Sequence, residues 1–496
     1  MPRQPACISG SHIYASRLVD FGLSFGIDIL GSMAIDCYDT SGALIWSLPM
    51  GQKLLVKSIA ADATGNVFIS GAYMETLHLG GTDSLVNTGS GFTTNLFLIS
   101  LDASGILRWK RNVTLSSADA FNISALAIDP QENCWYALEY FDSTSIKKLD
   151  VNGNDMQSYL IMGTRMLGSF SFDPAGNMFI AGSSGSINLN VNGYSVNVPE
   201  TYMMFVSRIN VAGTTSWIQL AHDQTFQGPQ IVATATGDAY VSGNLMDSTS
   251  FGNVVFHGPQ WVYDIFLTKV DSSGNFSWGV EVPETPNITG DFQCGKNNFI
   301  DADDLGNVYL SGTIRGTVDW GNGIVSDAGA IPSNGISIIS FDNNGNARWQ
   351  ITGGATGFVT PYSLFKGDQD DCYFAASAVD DVIFDSLTTN QGGNYAFVLG
   401  KIGTSFTAGF VTARIKSLIS FPNPADKKLV VSSRQYAINP VSIFNVMGEN
   451  VLKLISNESS YGHDYFQIEI DVSNFPSGIY FLEAGSARTK FLVQHE

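Results

Sequence analysis

One ten-residue pattern recurs along this chain and limits what it can become. It reads "DATGNVFISG" at 62–71, "DPAGNMFIAG" at 173–182 and "DDLGNVYLSG" at 303–312. Weaker copies are "TATGDAYVSG" (234–243), "DPQENCWYAL" (129–138) and "GDQDDCYFAA" (367–376), and "CISG" (7–10) reads as a seventh copy without its front half. A chain that repeats one short hairpin cannot bury the face of each unit alone, so successive units must stack on one another. A unit of about 40 to 50 residues, or a little more, suits a four-stranded propeller blade. The third and fourth copies, marked by Tyr136 and Ile180, stand closer than the others, so one unit has a short loop or lacks a strand.

A second motif alternates with the first: "DTSGALIW" (39–46), "DASGILRW" (102–109), "NVAGTTSW" (210–217), "DSSGNFSW" (271–278) and "DNNGNARW" (342–349). "DVNGNDMQ" (150–157) is a copy without Trp, and "IGTSFTAG" (402–409) a decayed one. Runs with period-two alternation precede it, such as "NLFLISL" (95–101), so both motifs are turns between strands. Glycine at the last turn position accepts positive φ, and Asp or Asn at the first bonds its own backbone two residues on. Trp46, Trp109, Trp217, Trp278 and Trp349 share one repeat position, which marks them as packing between units. Trp135 falls where other copies have Phe or Tyr, and Trp320 where others have Phe21, Phe251 and Phe384.

With 45 Asp and Glu against 25 Lys and Arg, the formal charge is −20, which repels phosphate backbones and argues against nucleic acid. No apolar run reaches the length of a membrane-spanning helix. The five cysteines are widely spaced and odd in number, and read as isolated buried thiols. "MPRQPACISGSHIY" lacks the basic and apolar regions of a signal peptide, and the first unit starts inside its motif. We therefore expect a truncated N-terminus, with "FTAGFVTARI" (406–415) partly completing the first unit as a closing strand.

The two alternating motifs resemble those of the bacterial β-propeller repeat family, over residues 7 to about 412. The resemblance implies an all-β, seven-bladed propeller, its first blade incomplete, across 1–415. From about 416 the period stops, and short alternating runs indicate a small Ig-like β-sandwich over 416–496. This segment resembles the type A C-terminal sorting domain of type IX secretion substrates. The resemblance rests on "FPNPA" (421–425), "VSIFNVMGENV" (441–451), "GIYFL" (478–482) and "TKFLV" (489–493), while the final "QHE" departs from the usual basic ending. It implies a sorting signal at Pro422, Asn423, Pro424, Gly448, Gly478, Tyr480 and Lys490, with the secretion machinery as partner. It also implies a destination outside the cell or on the outer-membrane surface, and a signal peptide missing from this chain.

Chemistry is sparse. The six histidines form no ligand spacing, and no G-x-S-x-G elbow or P-loop occurs, so no catalytic residue, metal ligand or cofactor is assigned. "DADDLGN" (301–307) offers carboxylates near a glycine, but the place of the bidentate Glu of a calcium loop is Gly312, so it reads as a turn with at most weak ion binding. Asp301 and Asp304 exceed what the repeat explains. Trp261, in the insertion "HGPQWVYD" (257–264), is the candidate contact for a sugar or protein ligand. The expectation is a secreted or cell-surface binding or adhesion scaffold without enzymatic activity. The alternative is a polysaccharide hydrolase or lyase with its site at the propeller channel, and a third reading is a purely structural element.

Overall fold

The structure is a computed structural model and describes residues 4–495 except 21–23, 26–27, 30, 88–93, 114–119, 201, 223–227, 246–247, 259–263, 283–289, 330–333, 356, 358, 368–370, 380, 385–386, 389–394, 404–408, 415–417, 422–423, 434–440, 455–465 and 485–486. Among these residues every paired strand is antiparallel and there is no helix. The fourth unit shows the plan: Thr164–Phe172, Met178–Ser184, Met203–Ile209 and Thr215–His222 pair in that order, from inner to outer edge. The first motif turns the inner strand into the second, and the second motif turns the third strand into the outer one. Both rings of turns therefore lie on one face, called the top here. The connections between second and third strands lie on the other.

Seven such units follow one another among the described residues. Their inner strands are Ala6–Ser9, the second half of Leu44–Ala61, Asn122–Ile128, Thr164–Phe172, Gln230–Ala233, Gly290–Cys294 with Ile300–Ala302, and Val359–Lys366. Each touches the next, and the last touches the first, so the sheets close a ring: the fold is a β-propeller. The inner strands carry a bulge at equivalent positions, Lys57, Ser124, Gly168 and Tyr362, which deepens their twist as they converge on the axis.

What joins one sheet to the next explains why the second motif is written with Gly and Trp. Trp46 donates its indole N–H to the carbonyl of Ala103 in the next unit, at 2.9 Å; Trp217 does so to Ser272 and Trp278 to Asn343, each at 3.0 Å. A Cβ added at Gly105, Gly274 or Gly345 would lie 2.8–2.9 Å from the ring of the preceding unit's Trp. The glycine thus serves twice, through its positive φ and through the indole it lets approach. Inside each unit the same Trp meets the aromatic of the first motif, as in Phe179 with Trp217 and Tyr240 with Trp278. Where the third unit lacks its Trp, Tyr159 stacks on Trp135 at 5.4 Å and lies against Gly213 of the next turn.

Two expectations are corrected. The first unit has four strands, Ala6–Ser9, His12–Asp20, Gly31–Asp39 and the first half of Leu44–Ala61. "CISG" is its inner strand and the turn after it, not the copy of the motif: Tyr14 in "HIYAS" is the residue that meets Trp46. The turn between them is short, so alignment on the glycine picks out the wrong strand. Gly409–Arg414 does not complete this unit either. It pairs with Tyr395–Ile402 as the outer strand of the last. The crowding of the third and fourth copies is a loop effect. Asn122–Ile128, Cys134–Glu139, Ser143–Leu149 and Asp155–Met162 are all present, but a tight turn replaces the hairpin found in the second, fourth, fifth, sixth and seventh units.

Beyond the ring, Leu418–Phe421, Lys428–Ser433 and Phe466–Asp471 form one sheet, and Asn450–Leu454, Val441–Phe444, Gly478–Ala484 and Ala487–Val493 a second. Leu429, Val431, Ile443, Ile470, Tyr480, Leu482 and Phe491 fill the space between them, a small β-sandwich.

Candidate functional site

The axis of the ring opens on the top face into a cavity of about 360 Å³. Its wall is the first turn of five successive units, including Ala63, Asp129, Glu132, Asp173, Thr234, Asp303 and Asp304. The acids look like a reactive cluster, but most are committed locally. Asp303 accepts from the backbone N–H of Leu305 and Asn307, from the Asn307 amide and from the Tyr309 hydroxyl, all within 3.0 Å. Burial pushes its pKa up, but these donors outweigh it and hold the carboxyl below its ordinary range. Asp129 accepts hydrogen bonds from Gln131, Asn133 and Trp135, and Asp173 from Asn177.

The two acids left over from the sequence pattern separate here. Asp301 is half-buried and accepts from the backbone N–H of Lys366 in the next unit at 2.7 Å, so it latches two sheets. Burial pushes its pKa to about 6, opposed by the bonds from Lys366 and Ala302. Asp304 is exposed on the cavity wall. Glu132 stands where the turn ordinarily has Gly. It holds φ at 64° and accepts from the N–H of Ala63 in the neighbouring turn at 2.6 Å. Among the described residues no three His, Cys, Asp or Glu side chains gather as a metal site.

Sequence reasoning missed two further buried acids. Glu139 accepts from the N–H of Leu167 in the next unit and from the Asn122 amide, and burial raises its pKa. Asp264 accepts from the N–H groups of Ile265 and Val282 through one oxygen, while the other has no partner among the described residues. Burial pushes Asp264 to about 8, with Glu281 and Asp291 adding to the rise. Aligning the copies beyond the "SG" reveals Glu139, because Ala72, Ser183 and Asn244 hold its place elsewhere. Trp261 lies outside the described residues.

Of the sorting-signal residues, Pro422 and Asn423 also lie outside them. Pro424 is exposed, just ahead of buried Ala425. Gly448 closes a hairpin tip with φ at 81°, and Asn445 bonds the backbone of Met447 and Glu449 there. Gly478 begins the strand opposite Val493, and Lys490 is exposed opposite Phe481. Tyr480 is buried, stacks on Phe491 and donates to the Pro476 carbonyl at 2.8 Å. Gly448, Gly478 and Tyr480 therefore occupy fold-making positions. The chain end is tied down: Ala425 exchanges backbone bonds with Leu492 and Gln494, and the His495 ring meets Asp426 at 3.0 Å and the Phe475 carbonyl at 2.7 Å.

Residues 420–494 match the secretion system C-terminal sorting domain. No curated protein matches the chain. Among solved structures, the Dos1 propeller aligns with 87% of this chain and 90% of its own at 8% identity and a TM-score of 0.41. Dipeptidyl peptidase 4 of Porphyromonas gingivalis aligns at 11% identity and 0.37, over 91% of this chain and 59% of that one. PorZ, a surface component of the type IX secretion system of the same organism, aligns at 10% and 0.27, over 99% and 75%. Likenesses this distant carry no argument, and the propeller rests on the strand pairings and ring contacts above. The chain is a β-propeller protein that ends in a type IX secretion sorting domain, the address of a protein exported to the cell surface.

Proposed function

We propose that the chain is a non-catalytic binding or adhesion scaffold, a seven-bladed propeller over 1–415 that engages a protein or glycan, with 416–496 read by the type IX machinery. The observation that supports this reading is the state of the carboxylates at the channel mouth. Acid–base cleavage of a glycoside needs two carboxyl groups free to face the substrate. Asp129, Asp173 and Asp303 hold their own turns and Glu132 holds the preceding one. The rival reading, a polysaccharide hydrolase or lyase, draws on the exposed Asp304 of the cavity wall and on Asp264, whose raised pKa fits a proton donor but whose side chain is buried.

Glycan-array binding and polysaccharide-depolymerisation screens on the purified chain separate the two. Binding without new reducing ends is the expected result, and bond cleavage abolished by Asp264→Asn would establish the rival. The address is tested separately. Tyr480→Ala removes a stacked, buried ring from a small core, a loss of about 3–5 kcal/mol. Export should fail, with the protein accumulating inside the outer membrane in cell fractionation; undiminished surface display would contradict the assignment of Tyr480 to the signal.

A further inference from the structure

The third unit lacks a hairpin, and no other described strand pairs into the wedge it would fill. In the fourth and seventh units the hairpin between second and third strands packs into the outer gap between its own unit and the one before. In the fourth unit Asn188–Val191 pairs with the outer strand Asp155–Met162, Ile161 opposite Val191, and buries Leu189 and Val191. In the seventh, Val382–Phe384 pairs with Ala347–Ala355 and buries Val382 and Phe384. Between the second and third units there is only the tight turn in which Tyr140 N–H bonds the Ser143 carbonyl. Among the described residues, the outer strand Leu107–Val113 pairs with Asn95–Leu101 alone.

The wall of this wedge follows from strand register. Lys147, Ser145 and Ser143 pair with Ser158, Leu160 and Met162, and cross-strand partners share a face. Tyr136, the partner of Lys147 on the other side, carries Arg111 of the second unit 5.8 Å above its ring, so this face turns toward the second unit. Leu160 is 46% exposed and Met162 54%, and Phe141 in the adjoining turn is 89% exposed. At the other end, Arg111 and Lys147 share the one carboxylate of Asp155, at 2.7 and 3.0 Å. That leaves one positive charge in excess at this spot, on a chain whose formal charge is −20.

We propose that the wedge binds an extended β-segment of a partner polypeptide, which adds to the free edge of Leu107–Val113. It lays apolar side chains on Leu160 and Met162 and presents a carboxylate to Arg111 and Lys147. The occupant's form follows from the chain's own hairpins, which fill equivalent wedges by strand pairing with an apolar inner face. Its charge follows from the two cations that share one acid. The inference rests on the reading of the propeller as a binding scaffold and names the kind of partner.

The test uses the full chain and a labelled synthetic peptide with the sequence of residues 187–200, "INLNVNGYSVNVPE", the hairpin that fills the neighbouring wedge. Fluorescence anisotropy should give a Kd on the order of 10–100 μM. The double variant Leu160→Lys with Met162→Lys should bind at least about tenfold more weakly while its melting temperature stays unchanged, because both side chains are already half in solvent. No binding to the wild type up to about 1 mM, or equal binding to the variant, would overturn the proposal. Sedimentation supplies a further arm: a wild-type dimer that the double variant abolishes would make the occupant a second copy and overturn the assignment to a partner. The glycan and depolymerisation screens do not read this site, so either result can fail without the other.

Discussion

Trp217→Ala is expected to lower the stability of the ring by about 3–5 kcal/mol, the range for deleting a large buried aromatic. The indole is buried, meets Phe179 edge-on at 6.1 Å and donates to the Ser272 carbonyl of the next unit. Removing it leaves a void inside one sheet and an unmet acceptor on the next. Gly274→Ala attacks the same joint from the other side. Its φ is 90°, and the new Cβ would lie 2.9 Å from the indole, so a cost of about 1–3 kcal/mol is expected. The double variant should cost less than the sum, because the smaller side chain vacates the space that the Cβ needs. Differential scanning calorimetry on the four proteins measures this. Strictly additive losses, or a Trp217→Ala effect below about 1 kcal/mol, would show that the joint does not carry the load assigned to it.

Stability should fall as pH rises from 5 to 8.5, the reverse of the usual behaviour of a chain rich in paired carboxylates. Asp301, at about 6, and Asp264, at about 8, are raised above their unfolded values by burial, as is Glu139 in direction. A raised carboxyl favours the folded state while it is protonated. Its contribution is complete below the unfolded pKa near 4 and is lost as pH climbs through the folded one. Asp129, Asp155 and Asp303 are lowered and act in the opposite sense: they stabilise above pH 4 and are lost only in stronger acid. The maximum therefore lies near pH 5. For Asp264 the swing is on the order of several kcal/mol as an upper limit, since a tenfold change in proton affinity corresponds to about 1.4 kcal/mol. Asp264→Asn keeps the oxygen that accepts from Ile265 and Val282 and removes the charge. It should raise the melting temperature at pH 8.5 and leave it almost unchanged at pH 5. Parallel melting curves for the two proteins across this range would refute the assignment.

The repeat is legible because its turns are chemical: an Asx bond and a positive-φ glycine require particular residues at fixed spacing, so copies survive side by side. The same logic misleads at the first unit. There the turn after the inner strand is shorter, and the glycine at position 10 aligns with the glycine of a different strand. The acids of "DADDLGN" can be ranked by repeat position alone. Asp303 is the turn, and Asp301 a latch to Lys366, a contact made across 65 residues that no local pattern encodes. The channel mouth is implicit in the repeat, since equivalent turns in a ring must converge, but which of its acids stay free depends on hydrogen bonds between units. The sandwich is recognisable from motifs that are largely structural, which is why Tyr480 and Gly478 turn out to be packing and strand-end positions.

The ring closes without exchanging a strand. Its first unit comes wholly from one end of the propeller sequence and its last wholly from the other, and they meet through Gln4 with Ser377, Ala6 N–H with Ser363, and the packing of Ile13, Ala15 and Tyr38 on Phe397 and Leu399. The tail follows the last unit, whose outermost strand is Gly409–Arg414. A peptidase that cuts just after Arg414 would detach the address and leave every strand of the circle in place.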